Sequence, residues 1–123
     1  MIKEKLSIVK IGGNIIEDEE ALKKFLQLFS KLEGKKILVH GGGRRATQIG
    51  SKLGVVSKII DGRRITDKET LDVITMVYGG LVNKKIVAQL QANNIDAIGL
   101  TGADINSIQS EKRPVKEIDF GFV

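Results

Sequence analysis

Lys10 and two glycine clusters are the residues of this chain whose types and spacing could do chemistry. Lys10 precedes a glycine pair at 12–13, and a glycine triplet at 41–43 follows a second apolar segment. A strand that runs into glycines and then a helix leaves backbone N–H groups unobstructed, and the helix dipole favours negative charge there. Lys10 adds a mobile cation. The pattern predicts an anion site, although a glycine pair by itself is more often only a tight turn.

The spacing of the two clusters supports a shared site. About thirty residues separate them, which is the length of one strand–helix–strand unit. Consecutive parallel strands end at the same edge of a sheet, where ligands of α/β proteins bind. Neither G-x-x-x-x-G-K-[ST] nor G-x-G-x-x-G occurs, so a P-loop enzyme and a Rossmann dehydrogenase are both disfavoured.

Alternating hydrophobic patterns predict the elements that must position these residues. The expected elements are a strand at 6–11, a helix over about 17–32, a strand at 37–40, a helix from the glycine triplet to Leu53, a hairpin of 55–60 with 63–65 around Asp61-Gly62, a helix opened by a Thr66/Glu69 capping box and interrupted at Gly79-Gly80, a helix over 81–93, a strand at 95–100 and an antiparallel pair within 107–123. This order predicts a three-layer α/β sandwich with a mostly parallel central sheet and an antiparallel hairpin insert.

Two arginines follow the predicted hairpin turn. Arg63 and Arg64 precede a helix. From this position a guanidinium can bind a carboxylate through two hydrogen bonds. The spacing alone favours a simpler interpretation, in which both side chains lie on a solvated hairpin arm.

Other polar residues have ordinary structural interpretations beside the functional ones. His40, the only histidine, ends an apolar strand and is expected to bond to backbone and not to act as a general base. Asp104 follows a strand, where it could hold magnesium or orient a lysine, yet aspartate is common in turns. Lys84 and Lys85 are expected on a solvated helix face.

Composition narrows the classes of function. The 123 residues have 41% hydrophobic and 28% charged residues, as in an ordinary globular domain, and no cysteine for a disulfide, a thiolate–zinc site or a thiol nucleophile. The net charge of +5 is compatible with nucleic acid, but one Tyr, four Phe and no Trp offer few rings for base stacking. Anionic small molecules are therefore the preferred partners. Without an apolar run of membrane length, we expect a cytoplasmic protein with no membrane contact.

Six segments taken together resemble the amino-acid kinase superfamily, and within it the N-acetylglutamate kinase family of arginine biosynthesis. They are residues 9–13, 39–43, 61–67, 82–84, 99–104 and 119–123. The resemblance implies transfer of the ATP γ-phosphoryl group to the γ-carboxylate of an N-acylated glutamate. In that reaction Lys10 would stabilise the transition state and the Gly12 and Gly13 amides would bind phosphate. The Gly42 and Gly43 amides would hold the substrate carboxylate, and Arg64 would bind the α-carboxylate.

The resemblance also implies what lies outside this chain. Similar enzymes are about twice as long, so residues 1–123 would form the N-terminal lobe that binds the acyl amino acid and dimerises. ATP with Mg²⁺ would be bound mainly by the nucleotide-binding lobe, which is absent here, and no metal ligand is assigned to this chain. We expect a homodimer in the parent enzyme and little activity from these residues alone.

Three arginines depart from the family pattern and leave the acyl group open. Arg44 and Arg45 stand where the family often has proline and an acidic residue, and Arg63 stands where leucine is usual. Arg44 and Arg63 are therefore candidate contacts to the acyl arm, which would favour the third carboxylate of N-succinylglutamate, although the simpler interpretation of ordinary surface arginines is slightly favoured. A non-catalytic module that binds small anions on the same fold is the remaining alternative.

Overall fold

Strands and helices alternate through residues 5–122, which the computed structural model describes. The elements are β1 (Leu6–Ile11), α1 (Gly13–Glu17), α2 (Glu19–Ser30), β2 (Lys35–His40), α3 (Gly43–Lys52), β3 (Lys58–Ile60), β4 (Arg63–Ile65), α4 (Lys68–Ile74), a π-helix (Thr75–Val82), α5 (Asn83–Ala92) and a 3₁₀ turn (Asp104–Asn106). The α/β class, the parallel sheet and the antiparallel hairpin are confirmed.

β1 and β2 form a parallel pair whose register aligns their ends. Lys10 lies opposite Val39, and Ile11 lies opposite His40. The chain therefore leaves both strands at one sheet edge and enters a glycine cluster from each. The predicted convergence of the two glycine loops is confirmed.

The helices pack on one face of this strand pair. Side chains alternate between the faces of a strand, and here Val9 and Ile11 join the core while Leu6 and Ile8 are 53% and 66% exposed. The buried apolar core comprises Ile11, Leu22, Leu26, Phe29, Ala46, Val73, Val77, Val82, Ile86 and Leu90. Parallel sheets are usually covered on both faces, so the exposed side chains form an apolar face that these helices leave open.

Lys36 attaches α2 to the sheet. Its ammonium donates to the carbonyls of Phe29, Ser30 and Leu32 at 3.0, 3.0 and 2.7 Å, and lies 5.3 Å from the centre of the Phe29 ring. The last carbonyls of a helix lack intrahelical donors, and a cation there complements the helix dipole. Lys36 thereby fixes the end of α2 against β2.

The helix predicted over 17–32 is divided at Asp18. This residue ends α1 and begins α2, where its carboxylate accepts a hydrogen bond from the Ala21 N–H at 2.9 Å. Aspartate is among the best N-cap residues because it satisfies an N–H without an intrahelical partner. The chain can therefore turn sharply after the first glycine loop.

The hairpin forms as predicted at Asp61-Gly62, with shorter strands. β3 pairs antiparallel with β4, and both turn residues have positive φ, 49° at Asp61 and 73° at Gly62. A two-residue turn of this type matches the twist of the strands and favours Asp-Gly. The first strand of the hairpin was expected to begin at Val55. It begins at Lys58, because β4 has only three residues with which it can pair.

The expected interruption at Gly79-Gly80 is wrong. The chain remains helical from α4 through the π-helix into α5, and the Asn83 N–H still bonds to the carbonyls of Gly80 and Tyr78. The wider π turn changes the direction of the side chains that follow, and such turns are frequent at functional sites. Glycine weakens a helix without stopping it when neighbouring elements hold the turn.

Two predicted strand features are absent from the described residues. Residues 95–100 alternate, with Ile95 and Ala97 against the core and Ile98 87% exposed, but their backbone joins no ladder among residues 5–122. The antiparallel pair expected in 107–123 is also wrong across the described part, and residue 123 lies outside it. Instead, Thr66 and Gly121 form a parallel bridge, with hydrogen bonds from Thr66 N to Phe120 O and from Phe122 N to Thr66 O.

The capping box expected at Thr66 and Glu69 is replaced by a cap at Asp67. The Asp67 carboxylate accepts from the Thr70 N–H at 2.8 Å, and Thr66 is buried in its bridge to the end of the chain. The bridge uses the Thr66 carbonyl as the acceptor of the Phe122 N–H, and the first helical hydrogen bond runs from the Leu71 N–H to the Asp67 carbonyl, so Asp67 becomes the cap. Hydrogen bonding from Thr70 lowers the pKa of Asp67 below its usual value.

The Asp67 cap is expected to make stability depend on pH in acid. Because the folded-state pKa is lowered, the ionised cap stabilises the fold above roughly pH 4, and this contribution is lost as pH falls through the folded-state pKa. Asp67→Asn keeps an acceptor without the charge. Urea unfolding from pH 6 to pH 2.5 should show the stability difference between the two proteins shrinking as pH falls. Parallel curves would contradict this role.

Candidate active site

The first glycine loop is open. A Cβ added at Gly12 or Gly13 would meet nothing within 4 Å, so the backbone there is accessible to a ligand. Lys10 lies at the exposed face of β1, and within residues 5–122 its ammonium forms no hydrogen bond or ion pair. A cation without a protein partner beside accessible backbone is suited to a phosphoryl group.

The second glycine loop is enclosed on one side. Gly42 is buried at the N-cap of α3, and a Cβ there would lie 3.1 Å from Cδ1 of Tyr78 and 3.4 Å from Cγ2 of Val82. At Gly43 the added atom would lie 3.4 Å from the Tyr78 hydroxyl. The π-helix therefore packs the ring of Tyr78 against this loop, and a side chain at residue 42 would displace that ring.

Arg64 reaches the second loop from the hairpin. Its Nη2 donates to the Gly43 carbonyl and to the Thr47 hydroxyl, both at 2.9 Å, and its Nη1 donates to the Ser57 hydroxyl. Arginine has five N–H donors, so these bonds leave Nε–H and one Nη1–H for a ligand. The solvated-arm interpretation is therefore wrong for Arg64.

His40 bonds to backbone, as predicted, and also to a side chain. Its Nδ1 lies 2.9 Å from the Gly41 carbonyl, and its Nε2 lies 3.1 Å from Nδ2 of Asn83. Both ring nitrogens are therefore occupied. This agrees with a structural histidine and leaves no free nitrogen to act as a base.

Asp104 closes its own turn. One carboxylate oxygen accepts from the Thr101 backbone N–H at 2.5 Å and from the Thr101 hydroxyl at 2.8 Å. The hydrogen bond from the Thr101 backbone, and then that from its hydroxyl, lowers the pKa of Asp104 below its usual value. The turn interpretation thus accounts for this residue. Among residues 5–122 no group of His, Asp and Glu is arranged to hold a metal ion.

The two lysines of α5 are exposed as expected, with different partners. Lys84 donates to the Gly99 carbonyl at 3.0 Å and to Oδ1 of Asn83 at 3.2 Å. Lys85 forms an ion pair of 2.7 Å with Glu19, and this hydrogen bond lowers the pKa of Glu19. Lys84 therefore joins α5 to residues 95–100, while Lys85 joins α5 to α2.

The candidate acyl-arm arginines lie on different elements. Arg44 is exposed in the first turn of α3, directly after Gly43, and Arg45 follows it. Arg63 lies 5.4 Å from the centre of the Phe120 ring, a cation–π contact. Successive strand residues point to opposite faces, so Arg63 points away from the side that Arg64 occupies. Their contact with an acyl arm stays a prediction.

Several residues around the second loop were not found from the sequence. Tyr78, Asn83, Thr47 and Ser57 contact the glycines or the side chains that support them. Tyr78 lies off the helical face that carries Leu71, Ile74 and Val77, although it still packs against the core. The π turn that directs Tyr78 and Asn83 has no sequence pattern comparable to a cap or a hairpin turn.

Comparisons with known proteins identify the family of the chain. The profile of the amino acid kinase family matches residues 5–122. Acetylglutamate kinases from Phocaeicola vulgatus and Bacteroides fragilis are 63% and 62% identical over 122 residues, which is 99% of this chain but 48% and 47% of those enzymes. The chain spans about half the length of the curated relatives it matches. The acetylglutamate kinase of Alcanivorax borkumensis is 42% identical over 115 residues.

Solved structures support the fold. The Streptococcus mutans protein smu.665 superposes with a TM-score of 0.60 and 24% identity, over 79% of this chain and 40% of its own. N-acetylglutamate synthase of Neisseria gonorrhoeae, solved with coenzyme A and N-acetyl-glutamate, gives 0.59 and 21% identity over 76% of this chain and 22% of its own. No helix in the described part of the chain is long and apolar enough to cross a membrane. By its sequence match over nearly its whole length, the chain belongs to the amino acid kinase family.

Proposed function

We propose that this chain is the acyl-amino-acid lobe of an ATP-dependent kinase that phosphorylates the γ-carboxylate of N-acetylglutamate. The observation that supports it most is the strand register, in which Ile11 opposite His40 brings the two glycine loops to one sheet edge. The first loop is open beside a lysine that has no hydrogen bond or ion pair within residues 5–122, and the second is held by Arg64. This separates a phosphoryl subsite from a carboxylate subsite.

Phosphoryl transfer requires little covalent chemistry from these residues. A carboxylate oxygen attacks the γ-phosphorus, the bond between that phosphorus and the β,γ-bridging oxygen breaks, and ADP leaves with the bridging oxygen. The nucleophile is already deprotonated at neutral pH, so no general base is required. Catalysis then depends on position and on stabilising the charge of the group in transfer. We assign that role to Lys10 and to the amides of Gly12 and Gly13.

The second loop and Arg64 would hold the other end of the substrate. The Gly42 and Gly43 amides stand at the start of a ten-residue helix, where negative charge is favoured. An N–H group of Arg64 that is not used internally would bind the α-carboxylate. Because Arg64 also bonds to the Gly43 carbonyl at 2.9 Å, the two carboxylate-binding groups are fixed relative to each other.

The relatives are about twice as long as this chain, so we expect most contacts to the nucleotide to lie outside it. ATP is the expected phosphoryl donor, and its contacts and those of Mg²⁺ would come from a second lobe. We further propose a homodimer built through the helix that follows Thr66, and a cytoplasmic enzyme of arginine biosynthesis.

The test is transfer to acyl-glutamates by the intact enzyme. Hydroxylamine traps an acyl phosphate as a hydroxamate, and we expect hydroxamate formation to require both ATP and N-acetylglutamate. Aspartate and free glutamate serve as control acceptors, and equal rates with them would contradict the proposal. No hydroxamate with any acyl-glutamate, together with phosphate bound at the first loop, would favour the non-catalytic anion-binding module.

The same assay decides the acyl group. N-succinylglutamate remains the second candidate because Arg44 lies exposed in the first turn of α3, next to Gly43. A charged hydrogen bond to its third carboxylate would favour it by about 1.5–3 kcal/mol. A higher kcat/KM for the succinyl compound, lost in Arg44→Gln, would support the second candidate, and a clear preference for the acetyl compound would reject it.

A further inference from the structure

We infer that Asn83 is a positioning residue for the second glycine loop, acting through His40 on the peptide between Gly41 and Gly42. The inference rests on the proposed function, in which the Gly42 amide binds a substrate carboxylate. Asn83 is 6% exposed at the start of α5, immediately after the π-helix. A buried amide side chain without structural partners would be costly, and the partners of this one lead to the loop.

The partners of Asn83 fix the orientation of its amide. Oδ1 accepts from the Lys84 ammonium at 3.2 Å, and a lysine ammonium can only donate. Nδ2 lies 3.4 Å from the Leu100 carbonyl, which can only accept. Both contacts would be lost if the amide were reversed. Nδ2 therefore faces His40 and donates to Nε2 at 3.1 Å.

The orientation of Asn83 determines the protonation of His40. Because Nε2 accepts from the Asn83 amide, it carries no proton in this network. Nδ1 lies 2.9 Å from the Gly41 carbonyl and must carry the proton that this acceptor requires. The network thus assigns the Nδ1–H tautomer to His40, whereas free imidazole side chains in water favour Nε2–H.

The bond to the Gly41 carbonyl sets the direction of the next amide. In a planar trans peptide the C=O and the following N–H point in opposite directions. Holding the Gly41 carbonyl toward His40 therefore directs the Gly42 N–H away from it. A Cβ at Gly41 would meet nothing within 4 Å, so crowding does not fix the Gly41 side of this peptide, where glycine permits wide rotation; the Gly42 side packs against Tyr78. The hydrogen bond from His40 supplies the restraint on the Gly41 side.

Gly99 makes room for this arrangement. A Cβ there would overlap Oδ1 of Asn83 and lie 2.8 Å from its Cγ and 2.9 Å from Cγ2 of Val87. The backbone of residues 95–100 can thus approach Asn83 closely enough for the Leu100 carbonyl to accept its N–H. One buried amide thereby holds the end of β2, the start of α5 and the segment that leads to the Thr101 turn.

The experiment combines kinetics of the intact enzyme with ¹⁵N NMR of His40. In Asn83→Ala we expect the KM for N-acetylglutamate to rise about tenfold, as loss of a supporting hydrogen bond does, with the KM for ATP within about twofold. The NMR signal of His40 should show Nδ1–H in the unaltered protein and change to Nε2–H in the variant. His40 is the only histidine of these 123 residues, and His40→Gln identifies its signal.

Two further variants separate positioning from loss of structure. Asn83→Asp is isosteric, but its carboxylate can only accept a hydrogen bond. Nε2 of His40 should therefore carry a proton in this variant, and the resulting imidazolium should still donate from Nδ1 to the Gly41 carbonyl. Its KM for N-acetylglutamate should lie below that of Asn83→Ala. The matched control is Asn93→Ala, which removes a side-chain hydrogen bond of 2.8 Å to Gln89 at the other end of α5. It should leave the tautomer and both KM values unchanged.

The outcomes separate this inference from the proposed function. An Nε2–H tautomer in the unaltered protein, or an Asn83→Ala variant that keeps both the Nδ1–H signal and the KM, would overturn the inference. An unaltered enzyme that phosphorylates no acyl-glutamate would instead overturn the proposed function. In that case the NMR signals still decide whether Asn83 fixes His40 and the Gly41 peptide.

Discussion

Lys10→Ala is expected to lower kcat by about 100-fold to 1,000-fold, with little change in the KM for N-acetylglutamate. Loss of one preorganised group that stabilises transition-state charge has an effect of this size. Lys10 is exposed at the end of β1, beside an open glycine loop, and has no partner within residues 5–122. Its removal therefore leaves no buried group unpaired, and folding should be preserved. Steady-state kinetics with varied ATP and acyl-glutamate give the measurement.

The control for Lys10 is another exposed lysine. Lys24→Ala removes the same charge from the solvated side of α2 and should leave kcat within about twofold, in line with small effects of surface substitutions. Urea unfolding of both variants should agree closely. A kcat for Lys10→Ala within threefold of the unaltered enzyme would show that the ammonium does not act on the phosphoryl group, and the assignment of the first loop would fail with it.

Arg64→Ala is expected to raise the KM for N-acetylglutamate by about 100-fold, equivalent to roughly 2.7 kcal/mol. The substitution removes the guanidinium from the substrate and also from Gly43, Thr47 and Ser57. Loss of those internal bonds should lower the free energy of unfolding by about 1–3 kcal/mol. The KM for ATP should change little, because the residue lies at the second loop.

Arg64→Lys and Thr47→Val divide these two effects. Lysine keeps the charge but lacks the planar fork, so it should recover only part of the affinity for substrate. Thr47→Val removes one acceptor of Arg64 while the guanidinium remains, and its KM should rise much less than in Arg64→Ala. If Arg64→Ala lowered the free energy of unfolding but left the KM for N-acetylglutamate unchanged, Arg64 would only connect the hairpin to α3 and would not contact the substrate.

The site residues differ in how far local sequence could predict them. The strand-to-glycine junctions and the Asp61-Gly62 turn could be predicted because each depends on a few adjacent residues, whereas the role of Lys10 stays a prediction. For Arg64 the sequence could not distinguish a carboxylate ligand from a solvated arm. Its bonds to Gly43 and Thr47 join residues about twenty positions away, and only the packed hairpin brings them within 2.9 Å.

The errors in the predicted elements have the same origin. The glycine pair at 79–80 was expected to interrupt a helix, but packing against neighbouring elements holds it as a π-helix. Thr66 was expected to cap α4, but its bridge to Gly121 shifts the cap to Asp67. In both places a contact with a distant part of the chain overrides the local preference.

The sequence by itself determined the α/β class, the two strand-to-glycine junctions and the family, since hydrophobic period, turn residues and motif spacing are local properties. The tertiary structure alone decided that Tyr78 covers Gly42, that Arg64 holds Gly43 and that Asn83 fixes His40. These contacts depend on the strand register and on the direction that the π-helix gives to α5. Both are set by packing of the whole core, which no short segment specifies.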